Sequence, residues 1–88
     1  MDKKARQQAS KIINSSVQVL NELPKDAIEK MGGEAALVKR TKINLVDSLG
    51  WSGMQFWQEK IDKIDANRIN RVDDFIGQVR NVFETSLA

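Results

Sequence analysis

Apolar residues recur at steps of three and four along three stretches of this chain of 88 residues, and no stretch alternates as a half-buried strand would. This spacing places the apolar side chains on one face of a helix. We therefore predict an all-α fold, a small helical bundle in which short helices join two long amphipathic ones. The predicted helices span about 3–22, 25–31, 34–49 and 53–85. One core is what a chain of this length supports, so we expect a single domain over 1–88.

The boundaries of the first helices have recognisable signals. Asp2 is the predicted N-cap of the first helix. Pro24 is predicted to end that helix, because proline disfavours a helical conformation at the residue before it. Gly32 and Gly33 are predicted to end the second helix in the way that glycines commonly do.

The last predicted helix contains an irregularity. Its apolar stripe slips by about one residue before Ile69, where a strict heptad would place Arg68. Two interpretations follow: one continuous helix whose stripe drifts, or a bend near Ala66 and Asn67.

Composition argues against catalysis. The chain has no Cys and no His, so it lacks the commonest nucleophile–base pairs and the commonest metal ligand. Glu59, Asp62 and Asp65 lie three residues apart on the last helix, but the bases among them are typical of a solvated face. We therefore expect no enzymatic activity, no cofactor, no metal and no small-molecule substrate.

Charge is distributed less evenly than the net value of +2 implies. Residues 1–44 hold nine bases and five acids, whereas residues 45–88 hold five bases and seven acids. A basic front and a mildly acidic back can orient a molecule toward a polyanion or toward a second copy of itself. The alternative is that the uneven distribution is ordinary scatter of solvated charges. The charge pattern therefore leaves nucleic acid open as a partner.

Localisation follows from hydropathy. No apolar run approaches the ~18 residues of a membrane span. No apolar stretch follows the charged first residues, as one would in a signal peptide. We therefore expect a soluble, cytoplasmic protein without a membrane partner.

Residues 25–51 carry a second pattern. A short helix ends in the glycine pair Gly32 and Gly33, and a helix with Ala35, Ala36 and Leu37 follows. The β-branched residue Ile43 and the capping residue Asn44 then precede Trp51. The stretch resembles Cro/repressor-like helix-turn-helix domains. The resemblance implies a DNA-binding regulator in which the last helix is the dimerisation element. Lys39, Arg40 and Lys42 would then contact phosphates. The alternative is that 34–49 forms one core helix.

Aromatic and aliphatic residues crowd the last predicted helix. Phe56 and Trp57 point about 100° apart, so either the middle segment covers both or one is displayed. The apolar stripe over 75–83 is wider than one packed neighbour requires. We therefore predict a small non-catalytic accessory or regulatory protein that binds a protein partner, or a second copy of itself as a homodimer, through its helical surface. The predicted interface residues are Trp57, Phe75, Val79, Val82 and Phe83. DNA binding is the alternative function.

Overall fold

The computed structural model describes residues 3–85. They form helices α1 (Lys3–Glu22), α2 (Lys25–Lys30), α3 (Glu34–Trp51), α4 (Gln55–Asp62) and α5 (Val72–Thr85), with a 3₁₀ turn at Ala66–Arg68. No strand occurs in this range, so the predicted all-α bundle is confirmed. The predicted N-cap Asp2 lies outside the described residues.

Proline and glycine set the boundaries around α2 as predicted. Pro24 has an extended backbone and its carbonyl accepts a hydrogen bond from the amide of Ile28 at 3.1 Å. Gly32 and Gly33 both have positive φ, at 108° and 95°, which residues with a side chain rarely adopt. The amide of Gly33 donates to the carbonyl of Ile28 at 2.9 Å, which closes the end of the helix.

The central helix, α3, is continuous. The helix-turn-helix resemblance requires a turn near 41–44, but these residues lie inside α3. The alternative, a single helix over 34–49, is confirmed, and the helix extends to Trp51. Its continuity has a packing reason, because its buried side chains recur on one face: Leu37, Val38, Thr41, Leu45 and Leu49. Every other element contacts α3.

The predicted helix over 53–85 is not continuous: it is divided into α4 and α5, and the 3₁₀ turn between them lies where the alternative bend near Ala66 and Asn67 was predicted. Ile64, Ala66 and Ile69 are all buried there. In a continuous helix Ile64 and Ala66 would point about 200° apart, so one core cannot take both without a break. The side chain of Asp65 accepts a hydrogen bond from the amide of Asn67 at 3.2 Å and caps the turn. The slip before Ile69 marks this break.

The core gathers apolar side chains from α1, α3, α4, α5 and the segment that joins the last two. Its buried members are Ala9, Ile13, Val17, Leu20, Leu37, Val38, Leu45, Leu49, Trp57, Ile61, Ile64, Ala66, Ile69, Val72, Phe75 and Val79. The rings of Trp57 and Phe83 lie 4.7 Å apart between centroids, which ties α4 to α5. None of the described helices is long and apolar enough to cross a membrane.

Candidate protein-interaction surface

The predicted interface on the last helix proves to be core. Trp57, Phe75 and Val79 are each at most 2% exposed, and Val82 and Phe83 are partly buried against the core. The prediction that a partner binds these side chains is therefore wrong for the first three. The stripe is wide because α5 packs against α1, α3 and α4 rather than against one neighbour.

The three predicted phosphate-contacting residues separate into two groups. Lys39 and Arg40 are exposed on α3. Lys42 is partly buried, and its ammonium donates a hydrogen bond to the carbonyl of Ile64 at 2.7 Å. The carboxylate of Asp62 lies 4.0 Å from the same ammonium. Lys42 therefore stabilises the segment that follows α4, and its ammonium is already engaged within the chain.

Four large apolar side chains are exposed in the described part of the chain. They are Trp51 at 91%, Ile43 at 59%, Val19 at 58% and Phe56 at 44%. Trp51 stands out, because tryptophan is highly buried on average. Of the two adjacent aromatic residues, Trp57 is buried and Phe56 is displayed. The ring of Phe56 packs edge-on against Trp57 at 5.0 Å, with the ammonium of Lys60 at 5.5 Å from its centroid.

The exposure of Trp51 follows from how α3 ends. Trp51 is the last residue of the helix, and Gly53 follows at a positive φ of 72°. The amide of Met54 donates to the carbonyl of Leu49 at 2.8 Å, which reverses the chain so that α4 packs back on α3. The side-chain amide of Gln58 lies against Gly50. A Cβ added at Gly50 would be only 2.5 Å from Nε2 of Gln58. The side chain of Gln58 thus approaches the end of α3 at Gly50, while the neighbouring indole of Trp51 stays 91% exposed.

Two open depressions share one residue of α3, Asp47, and Trp51 lines one of them. One, of about 380 Å³, is lined by Asp47, Gly50, Trp51 and Gln58. The other, of about 390 Å³, runs from Asp47 past Ile43 to the 3₁₀ turn, and both bases and acids line it: Lys39, Lys42, Asp47, Asp62 and Asp65. Ile43, Asp47 and Trp51 lie four residues apart, so they form one row along α3. We call Ile43, Asp47, Gly50, Trp51 and Gln58 the Trp51 surface.

The acidic ridge on the last predicted helix has ordinary partners. Asp62 lies near Lys42, and Asp65 pairs with Arg68 at 3.3 Å. Within residues 3–85, no three His, Cys, Asp or Glu side chains gather as metal ligands would.

Comparison with known proteins adds no assignment. No protein-family model, curated protein or solved structure matches this chain. The chemistry of the exposed surfaces therefore carries the functional argument.

Proposed function

We propose that this chain is a non-catalytic binding module that holds a protein partner through the Trp51 surface. The observation that carries the proposal is the 91% exposure of Trp51 at the end of a helix whose other face is core. Tryptophan is enriched among the few residues that dominate the affinity of protein interfaces. Burying one such side chain removes about 150–250 Å² from water, a gross gain of roughly 4–6 kcal/mol.

The geometry of α3 suits a rigid anchor. Ile43 and Trp51 are eight residues apart, which is about 12 Å along a helix. Both are exposed, and Asp47 lies between them. The helix is held by its buried face, so a partner meets an ordered apolar row and little conformational entropy is lost. A complementary partner presents a pocket for the indole and a hydrogen-bond donor for Asp47.

The alternative function, DNA binding by a helix-turn-helix in 25–51, has less support. The helix that contains 41–44 is continuous, and the ammonium of Lys42 is engaged by Ile64 and Asp62. The exposure of Lys39 and Arg40 is what remains in its favour.

A comparison of two exposed apolar residues tests the proposed function. The experiment is a pull-down in which the immobilised bait is wild type, Trp51→Ala or Val19→Ala. Val19 is the matched control because it is an exposed apolar residue on another helix. A genuine partner is retained by wild type and Val19→Ala and lost by Trp51→Ala. Once that partner is purified, its affinity should fall by about thirty-fold or more for Trp51→Ala, as expected of an anchor residue worth at least 2 kcal/mol.

Self-association is tested with the same variants. Sedimentation velocity over a wide range of protein concentration detects a second copy on the Trp51 surface if wild type dimerises and Trp51→Ala does not. Equal affinity of wild type and Trp51→Ala for the purified partner would refute the proposed function.

A further inference from the structure

Five residues of α3 form one row along the outer side of the helix. They are four residues apart from one to the next, and we call them the α3 outer row: Ala35, Lys39, Ile43, Asp47 and Trp51. Residues at this spacing are neighbours on a helix surface. Ala35 is partly buried, and the other four are exposed. The row therefore extends the Trp51 surface along the whole of α3.

Ile43 lies at the centre of the row and points away from the core. Thr41 and Leu45, two residues before and after it, are both buried. Two residues of an α-helix correspond to a rotation of about 200°, so Ile43 points about 160° away from each of these side chains. A second helix that approaches along the row thus meets Ile43 first.

The charges on either side of Ile43 are opposite and unpaired. Lys39 and Asp47 form no ion pair with any residue from 3 to 85, and they are too far apart, at about 12 Å along the helix, to pair with each other. Arg40 is exposed beside Lys39 and adds positive charge at the same end of the row. The other charged residues of the depression that Lys39 and Asp47 line have ion-pair partners already; they are Lys42, Asp62 and Asp65.

We propose that the partner at the Trp51 surface is a second copy of this chain, whose α3 packs antiparallel on the first with Ile43 at the twofold axis. This inference rests on the proposed function and names its partner. Reversing the row about Ile43 brings Lys39 opposite Asp47 of the second copy. It also brings Trp51 opposite Ala35. Each of these contacts occurs twice in a twofold interface.

The row matches its own reverse in size as well as in charge. The indole of Trp51 meets Ala35, the smallest side chain of the row, which leaves room for it. Lys39 supplies the hydrogen-bond donor for Asp47, and Ile43 packs on its own copy. Rows of residues four apart interdigitate in the commonest class of helix packing. The chain itself therefore supplies the pocket and the donor that the Trp51 surface requires of a partner.

The area available predicts a weak dimer. Two indoles bury about 300–500 Å² of apolar surface, and the two Ile43 side chains add to it. Stable interfaces bury about 1,200 Å² or more, whereas transient ones bury less. We therefore expect association that depends on protein concentration, with the monomer dominant in dilute solution.

The test is sedimentation equilibrium of the full chain from about 10 µM to about 1 mM, the range in which weak association is measured. Lys39→Glu and Asp47→Lys should each weaken the dimer at least about ten-fold, because two attractive pairs become repulsive. Mixed in equal amounts, the two variants should dimerise with each other about as well as wild type does. In that mixture each introduced charge faces its opposite. Trp51→Ala should weaken the dimer at least about thirty-fold.

Matched controls separate this pairing from an effect of overall charge. Arg80→Glu and Glu84→Lys make the same changes in net charge at exposed positions of α5, where both residues line a depression with α1. Neither control should change the affinity of the dimer, and mixing the two should have no effect. Far-UV circular dichroism verifies that every variant keeps the helical content of wild type.

A crosslinking experiment tests the register. The chain has no cysteine, so one introduced thiol reports which residues meet. Ile43→Cys should be joined to its own copy by a short bismaleimide, because this position faces itself at the twofold axis. Asn44→Cys is the control, since it is exposed and points about 100° away from Ile43. Equal yields of covalent dimer from the two variants would contradict the register.

The outcomes separate this inference from the proposed function. A wild type that stays monomeric up to about 1 mM overturns the inference, and a different partner that Trp51→Ala loses would then leave the proposed function standing. Equal dimerisation of wild type and Trp51→Ala overturns the inference and places self-association outside the Trp51 surface. A dimer that is sensitive to Trp51→Ala but not rescued by mixing Lys39→Glu with Asp47→Lys overturns the antiparallel pairing alone.

Discussion

Substitution of Lys42 tests whether this residue stabilises the fold, as its contacts indicate, or serves DNA binding, as the helix-turn-helix hypothesis requires. Lys42→Met removes the ammonium and keeps most of the aliphatic stem. The lost bond to the Ile64 carbonyl involves a charged donor, a class worth about 1.5–3 kcal/mol. The pair with Asp62 adds roughly 0–1 kcal/mol, since that carboxylate is 69% exposed. We expect the free energy of unfolding to fall by about 2 kcal/mol and Tm by about 10 °C.

Urea denaturation followed by far-UV circular dichroism measures this effect. Lys39→Met is the matched control, because Lys39 is exposed on the same helix and should change stability by no more than about 0.5 kcal/mol. Asp62→Asn should likewise cost about 0.5 kcal/mol or less, which separates the carbonyl from the carboxylate as the important partner. Equal stability of Lys42→Met and Lys39→Met would refute the structural role of Lys42.

Two further predictions concern the backbone and a helix end, and both are measured by urea denaturation. Gly53→Ala should destabilise the fold by about 1 kcal/mol, because φ is 72° there. Gly77→Ala, inside α5 with open space around the added methyl group, should stabilise it by about 0.5–1 kcal/mol; equal signs for the two would contradict this reasoning. Glu34→Ala should cost about 1 kcal/mol, because the Glu34 carboxylate accepts the amide of Val72 at 3.1 Å and caps α5. Glu34→Gln keeps an acceptor and should cost less, and equal losses would argue against the cap.

Local signals were sufficient for the first half of the fold. α1 has its predicted bounds, and Pro24 and the glycine pair end their helices through backbone preferences that any context preserves. The break after α4 was harder to predict. Spacing indicated a slip before Ile69, but only packing decides whether a helix drifts, bends or stops. Here burial of Ile64 and Ala66 in one core requires a stop.

The candidate site could be predicted only in part, because the burial of an aromatic residue is a tertiary property. Trp51 and Trp57 are the same residue type six positions apart, yet one is 91% exposed and the other 2%. The sequence pattern predicted an interface at Trp57, the buried one of the two. The difference arises at Gly53, where the chain reverses and α4 packs on α3. The available signal in the sequence was Gly53, two residues after Trp51, because a glycine at this position indicates that the helix ends at the tryptophan.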